Sequence, residues 1–74
     1  MERLRAEIAI LSDRLGASAR TLEERAWNQI VSETPVADHA YLVARLEHTR
    51  LERRLASLQA ELGRQILEVE EAQA

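Results

Sequence analysis

The sequence predicts an all-α fold: an antiparallel helical hairpin of coiled-coil character. Three observations carry that expectation. Ala, Leu, Glu and Arg dominate the chain, and all are good helix formers. Apolar residues recur at steps of three and four in both halves. A single proline, Pro35, interrupts the pattern near the middle and follows a threonine.

The first stripe is Leu4, Ile8, Leu11, Leu15, Leu22, Ala26 and Ile30. Its steps of four, three, four, seven, four and four place one apolar face along the first half. Gly16, inside "LGASAR", costs roughly 1 kcal/mol relative to alanine in a helix interior. Ser18 is suited to cap a helix beginning at Ala19. Two arrangements follow. Either helix 2–15 and helix 19–33 are separate, broken near Gly16, or one helix runs through. The stripe keeps its phase across Gly16, which favours continuity.

"SETPVADHAYL" supplies the turn, at 32–35. Thr34 is a good N-cap, and Pro35 suits the first helical position because its missing N–H is not needed there. Asp38 falls near the first turn, where the helix dipole favours negative charge. The residue before a proline is pushed out of the α region, so the first helix must end near Ser32 or Glu33. A connection this short joins antiparallel helices. The second helix, 35–69, carries Leu51, Leu55, Leu58, Leu62 and Val69 on one face, continued backward by His48, Ala44, Ala40 and Ala37. Glu68, Glu70 and Glu71 oppose the dipole at its C-terminus, which predicts a frayed tail over 70–74.

A chain of 74 residues is a single domain that buries only about 60% of its unfolded surface. Its aromatics are Trp27 and Tyr41, and it has no cysteine. The core must therefore be aliphatic and thin, with no disulfide and no thiolate metal site. Scaffolds of this size without staples need idealised helix packing or a partner. All ten basic residues are arginine, interleaved with acids as in "RLEHTRLERR", and the net charge is −3. There is no polybasic block, so binding to nucleic acid is not expected. No apolar run approaches the ~20 residues that span a bilayer, and the N-terminus lacks the apolar core of a signal peptide. The expected residence is cytoplasmic.

Chemistry is not expected either. Asp38, His39 and Tyr41 are close in sequence but do not converge on a helix. His39 and His48 lie nine apart, on opposite faces. No metalloprotease, phosphate-loop or nucleophile-elbow motif is present. His48, four before Glu52 on the apolar stripe, reads as a seam histidine bonded to a carboxylate. The expectation is a non-enzymatic chain with no catalytic residue, metal ligand or cofactor.

The stronger signal is surplus apolar surface. Trp27 and Val31 lie off the first stripe; Leu42, Val43 and Leu46 point away from the second. With the seam assigned to Leu4, Ile8, Leu11, Leu15, Leu22, Ile30, Leu51, Leu55, Leu58 and Leu62, these five are left over. Either the segment 2–15 folds across them, or they form a face for another protein. Tryptophan is among the residue types most enriched at binding hot spots.

The segment Tyr41–Leu58, "YLVARLEHTRLERRLASL", resembles the second hairpin helix of the YscE/PscE-type co-chaperones of type III secretion needle subunits. Tyr41, Val43, Glu47, Leu51, Glu52, Leu55, Ala56 and Leu58 carry the likeness, and "MERLRAEI", through Leu4 and Ile8, is similar to that family's N-terminal helix. The family's turn carries a glycine before the second helix, where this chain has Glu33-Thr34-Pro35. The resemblance implies pairing with a larger helical-repeat chaperone, the two together keeping a needle subunit monomeric. It implies no catalytic residue. Two rival readings stand beside it. One is a hairpin arm that binds RNA polymerase, like that of Gre-type elongation factors. Such an arm works through an acidic tip, and here the tip offers only Glu33. The other is a self-assembling coiled coil, in which Ala37, Ala40 and Ala44 permit close helix approach.

Overall fold

The structure is a computed structural model that describes residues 2–73. It consists of α1 (Glu2–Ser32) and α2 (Pro35–Gln73), packed side by side in antiparallel fashion as a rod whose backbone extends 60 × 14 × 13 Å. There is no strand among the described residues, and the fold class is the expected all-α hairpin.

The turn is built from two residues, Glu33 and Thr34. The Glu33 N–H donates to the carbonyl of Gln29 at 3.2 Å. Its φ of 49° is left-handed, the usual way a helix C-terminus closes on itself. The Thr34 hydroxyl then accepts from the Ala37 N–H at 3.2 Å, and its carbonyl accepts from the Asp38 N–H at 3.0 Å. Thr34 is thus the N-cap of α2 and Pro35 its first residue, as the sequence indicates.

Of the two arrangements open for the first half, the continuous helix holds. α1 passes through Gly16 without a break, so there is no separate segment 2–15 to fold over the hairpin. α2 is helical to Gln73, four residues past the expected end at Val69, and the expected fray at 70–73 is not seen. Ala, Glu and Gln in that stretch are strong helix formers, and no breaker follows Gly63. Position 74 lies outside the described residues.

The core is a single seam. Leu4, Leu11 and Leu58 are buried, with Ile8, Leu51, Leu55 and Leu62 packed against them. Leu15 and Leu22 are partly covered further along α1. One expected seam member, Ile30, falls outside it, and so does Val69, the last residue of the second stripe. Ile30 is 67% exposed, and the partly covered residue beside it is Gln29. Ile8, Leu15, Leu22 and Gln29 keep the seven-residue repeat that two coiled helices share. Steps of four from Leu22 through Ala26 to Ile30 overshoot that repeat by one residue, which turns Ile30 about 100° off the seam. Val69 is exposed for a different reason. α2 has 39 residues and α1 has 31, so the last two turns of α2 extend past the start of α1. Nothing of α1 lies opposite Val69.

The two ends of the hairpin are filled differently. Away from the turn, leucine and isoleucine meet in the seam. Near the turn the inward positions are Ala26, Gln29, Ala37, Ala40, Tyr41 and Ala44, of which only Ala44 is buried. The large apolar side chains of that half are outside.

Candidate functional site

Among the described residues, the turn-proximal half carries seven of the ten exposed large apolar residues: Trp27, Ile30, Val31, Val36, Leu42, Val43 and Leu46. All five residues expected at a partner face are among them. The seam shows how they are arranged. Trp27 lies two residues before Gln29, and Leu46 two before His48. Two residues are about 200° of helix, so each side chain points outward from the back of its own helix. Trp27 is 66% exposed and Leu46 69%. They face in opposite directions across the width of the hairpin.

The remaining three divide between the two sides of the rod. One side is marked by Glu7, Ile10 and Arg14 beside Arg54, and by Thr21 and Arg25 beside His39, Val43 and Glu47. Val43 belongs to it directly. Val31 joins it, three heptads after Ile10. The other side is marked by Ser12, Gly16 and Ala19 beside His48, Glu52 and Leu55. Ile30, two heptads after Gly16, lies on that side, as does Leu42, ten residues before Glu52 and one turn before Arg45. The expected face is therefore not flat. Trp27, Val31, Val43 and Leu46 run as a curved band over one side and both backs, with Val36 beside them. Leu42 sits on the opposite side with Ile30. Sequence reasoning omitted Ile30 and Val36; the heptad spacing from Leu22 to Gln29 is the signal that would have placed Ile30 outside.

Charge flanks this band at one end only: Arg25 and Glu47 lie beside Val43, and Arg50 and Arg53 beside Leu46. Nearer the turn, between Arg25 and Arg45, the ionic side chains besides His39 are Glu33 and Asp38. An exposed apolar band with a charged rim is the type of surface that binding covers.

One polar layer interrupts the seam. His48 Nδ1 is 3.2 Å from Ser18 Oγ on α1, and His48 Nε2 is 3.2 Å from Glu52 Oε1. A carboxylate oxygen only accepts, which assigns the ring proton to Nε2 and leaves Nδ1 to accept from the Ser18 hydroxyl in the neutral ring. This is the seam histidine that the spacing to Glu52 implies. It joins the two helices and has no third ligand: among the described residues no group of three or more His, Cys, Asp or Glu side chains is placed to hold a metal ion. His39 is exposed on the outer surface, apart from His48.

These features define the class as an all-α helical hairpin with an uncovered apolar band. The chain matches no protein-family model, no characterised protein and no solved structure. Among the described residues no helix is long and apolar enough to cross a membrane.

Proposed function

We propose that this chain is a non-enzymatic protein-binding module of the cytoplasm, and that its partner is a larger helical-repeat chaperone. In the full form of this reading the pair holds a type III secretion needle subunit monomeric before export. One observation supports it above the others. Trp27 and Leu46 point outward from opposite backs of the hairpin, with Val31 and Val43 on the side between them. A flat partner reaches one back only. A concave surface reaches both, and stacked helical repeats form extended concave surfaces.

The chemistry of the task agrees. A needle subunit polymerises through an amphipathic helix, so something must cover that face before export. A small hairpin that stabilises it does so by mass action, and gains stability in return. The test is affinity capture from the native host with mass spectrometry, using the intact chain and the variants Leu46→Glu and Trp27→Glu. The reading requires a helical-repeat chaperone and a small needle-type subunit in the intact sample, and the loss of both in the variants. Recovery of RNA polymerase subunits would point to the hairpin-arm reading instead, and recovery of the chain alone to self-assembly.

A further inference from the structure

We propose that two copies of this chain pack in parallel, turn beside turn, through the side that bears Gly16, Ala19, Ile30 and Leu42. The product is a four-helix bundle in which α1 of each copy lies against α2 of the other. This interface is separate from the curved band assigned above to the chaperone.

The first argument is area. The chain exposes 5937 Å². A compact monomer of 8.4 kDa exposes about 4,600 Å². The excess is roughly 1,300 Å² per chain, so a pair of chains has enough spare surface for an interface above the ~1,200 Å² at which stable ones begin. The core supports the same conclusion from inside: among the described residues four side chains are buried, and none is covered completely.

The second argument selects the side. Its surface is low. A Cβ at Gly16 would meet only the tip of Arg20, at 4.0 Å, and one at Gly63 nothing within 4 Å. Ser12 and Ala19 are similarly short, so a second helix can approach closely. The opposite side carries Glu7, Arg14, Arg25, Glu47 and Arg54, against Glu23, Arg45 and Glu52 on this one, so less charge is desolvated here.

The third argument is charge and selects both the occupant and its direction. Residues equidistant from the turn lie level, as Ser18 and His48 do. Glu23 and Arg45, on this same side, are two residues off that level, about 3 Å along the rod, a gap their long side chains span. A two-fold axis along the rod sets Glu23 of one copy against Arg45 of the other, twice. It also brings Leu42 of the second copy to within about one turn of Ala26 and about two turns of Ile30. Turning one copy end for end breaks both matches and brings Ile30 towards Arg5.

Sedimentation velocity on the full chain over a range of concentrations reads the outcome directly. The expected species has twice the 8.4 kDa chain mass. Glu23→Arg and Arg45→Glu should each weaken the dimer about tenfold, by replacing attraction with repulsion at two places. The double variant Glu23→Arg/Arg45→Glu should restore it, which separates lost pairing from lost folding. The natural chain has no cysteine, so mixing Glu23→Cys chains with Arg45→Cys chains should give a covalent heterodimer on oxidation. A chain that stays monomeric overturns the proposal. So does a dimer indifferent to the charge reversals, or one whose mixed cysteines do not cross-link. Trp27 lies outside this interface, so its emission should not change on dimerisation. A shift there reports chaperone binding, and the two readings can fail independently.

Discussion

Ser18 and His48 stand thirty residues apart in the chain and meet across the seam at 3.2 Å. Theirs is the only hydrogen bond between side chains of α1 and α2 among the described residues. It occupies positions where the heptad would otherwise place apolar groups, and it fixes which residues of the two helices lie level. The hydroxyl satisfies Nδ1 while Glu52 takes the proton of Nε2. Removing one partner leaves a half-covered ring nitrogen without a donor. Ser18→Ala should therefore destabilise the hairpin by about 1 kcal/mol. Replacing both groups, as Ser18→Ala with His48→Leu, should be neutral or stabilising, because the seam becomes continuous. Urea denaturation of the two single variants and the double variant checks the sign. If the double variant is no better than the sum of the singles, the bond is not coupled across the seam.

Leu58 is the most deeply covered side chain, 5% exposed, and it lies in the part of the hairpin where α1 and α2 both contribute leucine. Leu58→Ala should cost about 2–5 kcal/mol, most of the stability of a domain whose total is small. Leu55 is only partly covered and should cost less. Leu67, on the overhanging turns of α2, is exposed, and Leu67→Ala should change stability by less than about 0.5 kcal/mol. Thermal unfolding followed by circular dichroism orders the three. An equal effect at Leu67 would mean that the overhang is packed in solution.

Glu33 sits at φ 49°, a conformation that crowds a Cβ against its neighbouring carbonyl. Glycine has no such penalty. Glu33→Gly should stabilise the hairpin by about 1 kcal/mol, less the entropy that glycine adds to the unfolded chain. Thr34→Ala should act in the other direction, by about 0.5–2 kcal/mol, since the Ala37 N–H loses its acceptor. Comparing the midpoints of both variants with that of the natural chain tests the turn as drawn.

Much of this architecture was legible before any coordinates. Thr34-Pro35 marks the turn because each residue satisfies a specific need of a helix start. The leucines from Leu4 to Leu22 and from Leu51 to Leu62 mark the seam because large side chains gain most from burial there. The tip was read less well, for a physical reason. Near the turn the inward residues are alanines, which give a weak periodic signal, while Ile30 and Leu42 supply strong apolar signals that face outward. Steps of four were followed to Ile30 where the shared heptad leads to Gln29. The five residues expected at one face proved to be exposed, but sequence spacing within one helix does not say how two backs are disposed across a hairpin. Only the pairing of α1 with α2 shows that Trp27 and Leu46 point apart.

That disposition makes Trp27 a probe. It is the only tryptophan, and two thirds of its surface is open to water. Its emission in the free chain should be that of a solvated indole and readily quenched by acrylamide. Leu46→Glu places a charge on the opposite back, where the side chain touches no core residue, so helicity and unfolding midpoint should stay within about 0.5 kcal/mol of the natural chain. The same substitution should abolish capture of the proposed chaperone partner, since a carboxylate would be buried without a partner in the bound state. Trp27 in a complex should then shift to shorter wavelength for the natural chain and stay unshifted for Leu46→Glu. If Leu46→Glu unfolds the hairpin, that back belongs to the core and the curved band is not a binding surface. If it binds as well as the natural chain, the partner does not reach both backs, and the concave groove inferred from Trp27 and Leu46 is the wrong shape.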